Sequence, residues 1–190
     1  MLKKIVVIGP ESTGKSTLCE KLAAHYNTQW VKEYAREYLL KNGTDYTYDN
    51  LIDIAKAQIG GEEATVGSWQ LANEQSSTFN VQPLFIDTDM YVMKVWCEFV
   101  FGKCHHGILN QIARRPYALY LLCDVDLPWV KDELREYPDL ASREKLFHHY
   151  KDIMVNQQVP CVIINGSYEE RLEKAIVTVD LLRMMDGPGS

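Results

Sequence analysis

No stretch of these 190 residues approaches the ~20 consecutive apolar positions that a membrane-spanning helix needs. An excess of positive charge is also missing. Lys and Arg number 20 against 26 Asp and Glu, a formal net charge of −6, which argues against the basic patch that a nucleic-acid-binding surface requires. Cysteine is sparse: five residues, an odd number without regular spacing, which points away from a disulfide framework and towards reduced thiols in a cytoplasmic protein. Cys104-His105-His106 has no second ligand pair at metal-binding spacing and reads as a surface loop rather than a zinc site. There is no internal repeat, low-complexity tract or linker, and the amino terminus enters a strand directly with no leader pattern. One domain over residues 1–186 is expected, with 187–190 as a flexible tail.

What is present is concentrated near the start. Gly9-Pro10-Glu11-Ser12-Thr13-Gly14-Lys15-Ser16 fits the phosphate-loop pattern G-x-x-x-x-G-K-[ST]. Gly9 and Gly14 permit backbone angles that a Cβ would forbid, so successive N–H groups can turn inward around a polyphosphate. Glu11, Ser12, Thr13 and Thr17 complete the nucleotide cradle, Lys15 supplies a cation to the β- and γ-phosphates, and the Ser16 hydroxyl suits Mg²⁺. The flanks agree: a β-branched run over 3–8 precedes the loop, and Leu18, Leu22 and Tyr26 follow it at helical spacing. ATP and Mg²⁺ are the implied ligands.

Beyond the loop, strand and helix patterns alternate. Strands are expected at 3–8, 28–32, 83–87, 117–123 and 160–164, and helices at 15–26, 33–42, 48–80, 90–101, 106–114, 142–157 and 167–184. Gly60-Gly61 and Gly67 predict a break in the 48–80 segment. This alternation is the signature of an α/β fold of the P-loop NTPase type, a five-stranded parallel sheet with helices on both faces.

Open sheets of this kind bind ligands beyond the carboxyl ends of their strands. Acids stand at three such ends: Glu33, Asp87-Thr88-Asp89, and Asp124-Val125-Asp126. Asp87 closes Pro83-Leu84-Phe85-Ile86, the Walker B arrangement, and with Ser16 forms the expected metal site. Glu33 is placed to accept a proton from an attacking hydroxyl or to bind a sugar diol, Asp89 either caps the next helix or touches substrate, and the catalytic base is Glu33 or Asp89. Arg36, one turn after Glu33, can orient it or meet a phosphate. Residues 125–143 are polar, proline-bracketed and read as a lid whose Arg135 and Arg143 fold over the triphosphate. Tyr34, Tyr91 and Trp96 are the aromatic candidates for the acceptor side, Tyr91 and Trp96 being best placed to stack a base. No N-K-x-D guanine-reading motif occurs, and the length leaves little room for a motor or an AAA-type machine.

Glu33-Tyr34-Ala35-Arg36-Glu37, Phe85-Ile86-Asp87-Thr88-Asp89 and Pro128-Trp129-Val130-Lys131-Asp132-Glu133-Leu134-Arg135, taken with the phosphate loop, resemble the ribosylnicotinamide kinase domain of NadR-type proteins. The similarity runs in order from about residue 3 to residue 183. It implies a nucleoside-kinase-like fold with a lid and transfer of the ATP γ-phosphoryl group to the 5′-hydroxyl of nicotinamide riboside. The larger family members carry a helix-turn-helix and an H-x-G-H nucleotidyltransferase domain, and His105-His106-Gly107 does not fit the latter, so no adenylyltransferase or repressor function is expected. Two alternatives stay open: a kinase for another nucleoside or nucleotide, and a non-catalytic ATP-binding regulatory module.

Overall fold

The computed structural model describes residues 1–73, 81–134 and 137–185. Its centre is β1 (Leu2–Ile8), flanked by β3 (Gln82–Asp87) and β4 (Leu119–Cys123), with β2 (Trp30–Val31) and β5 (Cys161–Ile164) outside them. The order is β2-β3-β1-β4-β5 and every pairing is parallel. A parallel sheet needs crossovers, and the helices supply them: α1 (Lys15–His25), α2 (Tyr34–Asn42), α3 (Tyr48–Asn73), α4 (Met90–Phe101), α5 (His106–Arg114), α6 (Leu140–Val155) and α7 (Tyr168–Met185).

The period-2 alternation of β1 divides the core in two. Ile5 and Val7 face Leu18 and Leu22 of α1 and Ala175 and Val179 of α7. Val6 and Ile8 face the opposite way, towards Val92 and Val95 of α4 and Phe147 and Tyr150 of α6. All four β1 residues are fully buried, as a strand covered on both faces must be. A third cluster joins Leu51 and Ile54 of α3 to Met93 and Cys97 of α4 and Ile108 of α5.

Two expectations about elements differ from the structure. β2 is two residues rather than five. The break predicted at the glycines of 48–80 does not occur: α3 runs unbroken through Gly60, Gly61 and Gly67. Each glycine costs a helix about 1 kcal/mol against alanine, but Leu51, Ile54, Ala55, Gln58 and Glu62 bury one face of this helix, and packing outweighs propensity. Residues 74–80 and the tail lie outside the described residues.

Candidate nucleotide and acceptor site

The turn out of β1 is a left-handed nest. Gly9 has φ 140°, Ser12 57° and Gly14 78°. A Cβ on Gly9 would lie 2.7 Å from the Cys123 carbonyl oxygen at the end of β4, so only glycine passes there. Gly14 is the amino-terminal cap of α1 and brings no side chain to satisfy the first-turn N–H groups. Those donors, with the helix dipole behind them, form an anion site. The Thr13 hydroxyl donates to the Pro10 carbonyl at 2.7 Å, and Lys15 Nζ reaches the same oxygen at 2.9 Å.

Two buried arginines hold the outer side of this loop. Arg171 of α7 donates from Nη1 to the Thr13 carbonyl at 3.0 Å, from Nη2 to Asp124 at 3.1 Å and from Nε to Gly166 at 2.8 Å, and pairs with Asp126. Arg143, 3% exposed in the first turn of α6, donates to the carbonyls of Leu127 at 3.2 Å, Val125 at 3.4 Å and Ser12 at 3.5 Å. The Ser12 and Thr13 carbonyls are thus turned to guanidinium groups, which fixes the peptide units of the loop. Arg143 therefore braces the loop from behind instead of lying over the triphosphate, because burial leaves its head group among carbonyls. Arg135 lies outside the described residues. Arg171 carried no motif signal, since its partners stand far away in sequence.

Asp87 pairs in register with Val7, two residues before the loop begins. It is fully buried, and among the described residues neither carboxylate oxygen has a hydrogen-bond partner of ordinary geometry. Burial and the nearby Glu33 charge push its pKa up to about 7, against the pull of Lys15 and the Ser16 hydroxyl. A buried carboxylate with both oxygens orphaned calls for a cation. One such acid beside a serine hydroxyl suits Mg²⁺, which keeps several waters and takes its remaining ligands from phosphates. No group of three or more metal-ligating side chains occurs among the described residues, and this ion does not require one.

Asp89 does not join the site. Its Oδ1 accepts from the Tyr91 and Val92 amides and its Oδ2 from the Tyr120 hydroxyl at 2.9 Å, so it caps α4, buried and off the cavity lining. Tyr91 likewise turns away, edge-on to Tyr120 at 5.9 Å. Tyr34 packs with α3 and α4 rather than on the cavity wall. The acids after β4 are committed elsewhere too: Asp126 holds Arg171 and the Gly166 amide, and Asp124 accepts from the Val125 amide. Of the strand-end acids, Glu33 and Asp87 are the pair brought together.

A cavity of about 280 Å³ runs from the loop residues Gly9–Thr17 past Glu33 into an apolar chamber. Its far walls are Leu39 of α2, Val95, Trp96 and Phe99 of α4, Tyr150 of α6, and Tyr137 after β4. Trp96 is fixed by a 2.8 Å bond from Nε1 to the Tyr46 hydroxyl. Tyr168, at the start of α7, closes the loop end. The post-β4 segment is tied down across the opening: the Val130 amide donates to Ser12 Oγ at 3.0 Å, the Tyr137 amide to Glu11, and Arg36 grips Asp132 at 2.9 and 3.3 Å. Arg36 is thus held by this segment instead of by Glu33.

A family model described as an AAA domain matches residues 4–171. The chain belongs to this family. Length had argued against an AAA-type machine, and what the match covers is the P-loop sheet with its helices. The trifunctional NAD biosynthesis/regulator protein NadR of Escherichia coli (strain K12) is 27% identical over 188 residues, which is 98% of this chain and 43% of that protein. The chain therefore spans less than half of that relative. A crystal structure of a NadR protein in complex with NR superposes with a TM-score of 0.68 at 22% identity, covering 96% of this chain and 50% of that one. Thymidylate kinase from Ehrlichia chaffeensis gives 0.61 at 15% identity, covering 94% and 98%. These matches agree with the NadR-type resemblance carried by the motifs, and the solved structures share the fold of the parallel sheet and its helices.

Proposed function

We propose that the chain phosphorylates nicotinamide riboside on its 5′-hydroxyl, using ATP and releasing nicotinamide mononucleotide and ADP. The observation that carries this reading is the single cavity joining an amide-lined phosphate loop to an aromatic chamber, with Glu33 at the junction. The chamber suits a planar ring, and a cationic pyridinium against Trp96 would gain up to ~2 kcal/mol when desolvated. The NR-bound NadR structure and the motif resemblance support the choice of acceptor.

In this reading the 5′-oxygen attacks the γ-phosphorus, the bond to the β-phosphate oxygen breaks, and ADP leaves. Glu33 takes the hydroxyl proton. Asp89, spent on its cap and on Tyr120, is not the base. Lys15 and the loop amides hold the phosphates in line, so positioning and charge neutralisation supply most of the acceleration. Mg²⁺ held by Ser16 and Asp87 would neutralise charge on the phosphates. Ser12 and Glu11 hold the Val130 and Tyr137 amides at the opening, which limits water access to the transfer.

The test is mass spectrometry of products after incubation with ATP, Mg²⁺ and a mixed panel of nucleosides and nucleotides. A mononucleotide formed preferentially from nicotinamide riboside is the expected result. Preference for a neutral base would reassign the acceptor, and ATP binding with no phosphorylated product would make the chain a regulatory module.

A further inference from the structure

We propose that Gln58 is the positioning residue that sets the strand ends carrying Glu33 and Asp87 against one another, an inference that rests on the kinase reading above. Gln58 lies on α3, outside every motif of the sequence, and its side chain is buried. Its Oε1 accepts from the Tyr34 amide at 2.7 Å, the peptide immediately after Glu33. Its Nε2 donates to the main-chain carbonyls of Asp87 at 3.2 Å and Thr88 at 3.0 Å. One side-chain amide thus spans the ends of β2 and β3 with both of its donor hydrogens and its acceptor in use.

The turn it grips needs holding. Thr88 is β-branched and sits at φ 75°, a conformation such residues rarely adopt. Its own amide reaches Val7 only at 3.4 Å, and its buried hydroxyl has no hydrogen-bond partner among the described residues. Strained backbone persists where surrounding contacts over-determine it, and Gln58 supplies two of those contacts. If α3 needed only packing here, an aliphatic side chain would serve better, since a buried amide is unfavourable unless fully bonded. Asp87 and Glu33 are the acids whose placement decides where the metal and the acceptor proton sit, and a misplacement of ~1 Å costs on the order of a hundredfold in rate.

Gln58→Met keeps the length of the side chain and drops all three bonds. Gln58→Glu keeps the acceptor for Tyr34 and turns the donors into an oxygen facing two carbonyls. Each full-length variant is assayed with ATP and nicotinamide riboside, and binding of a non-hydrolysable ATP analogue is titrated with Mg²⁺ by calorimetry. We expect kcat to fall about 30- to 100-fold, KM for ATP to stay within about twofold, and the Mg²⁺ needed for half-maximal binding to rise about tenfold, with metal-free nucleotide binding unchanged. Unaltered kcat and Mg²⁺ requirement in a folded variant would overturn the proposal. So would losses that only follow the folded fraction, or failure of both variants to fold, which would assign Gln58 to stability alone. If the wild-type chain phosphorylates no nucleoside, the kinase reading fails by itself, and the Mg²⁺ titration decides the role of Gln58.

Discussion

Lys15, Glu33, Asp87 and Asp89 are all charged residues at strand or helix ends, yet their surroundings assign them different work. Lys15 rests on the Pro10 carbonyl at the mouth of the nest. Lys15→Ala should lower turnover by at least about a hundredfold, the scale of losing one preorganised charge, while the thermal melt stays unchanged. Glu33→Gln should reduce kcat by ~10²–10⁴ if it is the general base. Asp89→Asn should instead cost ~1–2 kcal/mol of stability, seen in urea unfolding, because it weakens a cap and a buried bond to Tyr120. Equal kcat losses in the two variants would contradict this assignment.

The pH dependence belongs at the same scale. Burial raises Asp87 to about 7 and Asp89 to about 6, whereas both ionise in the ordinary carboxylate range when unfolded. The folded chain therefore keeps protons that the unfolded chain has released, and this share of stability is lost as pH rises from the ordinary carboxylate range, about 4, through the folded values of about 6 and about 7. The nucleotide-free protein should melt lower at pH 8 than at pH 5.5, and Asp87→Asn should flatten much of that difference. Metal–nucleotide binding should run the other way. It needs ionised Asp87 and should weaken below about pH 7, approaching tenfold per unit.

At the scale of elements, α3 is the instructive case. Its glycines suggested a break because propensity is a local quantity, while the apolar face that carries the helix through them is not. A Cβ on Gly60 or Gly67 would meet nothing within 4 Å. Gly60→Ala and Gly67→Ala should each stabilise the fold by about 0.5–1 kcal/mol without affecting kinetics. The phosphate loop was legible from eight residues because its conformation is local and its chemistry demands fixed spacing. The motif after β4 singled out a segment that bonds to Glu11, Ser12 and Arg36, but not which partners Arg143 takes. Arg143 bonds to carbonyls of Ser12, Val125 and Leu127, and only the packing of α6 against β4 brings them together.

Across the whole molecule, the order β2-β3-β1-β4-β5 sets Asp87 and the loop side by side and puts Glu33 one strand further out. The far end of the sheet is tied by a different device. Glu62 of α3 accepts from Lys4 at 3.0 Å and from the Tyr117 hydroxyl at 2.9 Å and forms an ion pair with Arg115 at 3.2 Å, joining α3 to the amino ends of β1 and β4. Glu62→Ala removes the partner of Lys4 and Tyr117 while Arg115 keeps Glu63, and should cost ~1–3 kcal/mol, measured by denaturant unfolding. Its kinetic constants per folded molecule should match wild type, because the active end of the sheet is untouched.

The amino-acid sequence by itself determined the alternation of strands and helices, the nest with its lysine and serine, and the acid closing β3, since each depends on neighbours within a few residues. The tertiary structure alone decided which strand-end acids meet, that Asp89 caps while Glu33 stays on the cavity, and that Gln58, Arg143 and Arg171 hold the site's backbone. Those roles rest on buried hydrogen bonds between residues distant in the chain, and the geometry of such bonds exists only once the sheet has brought its strand ends together.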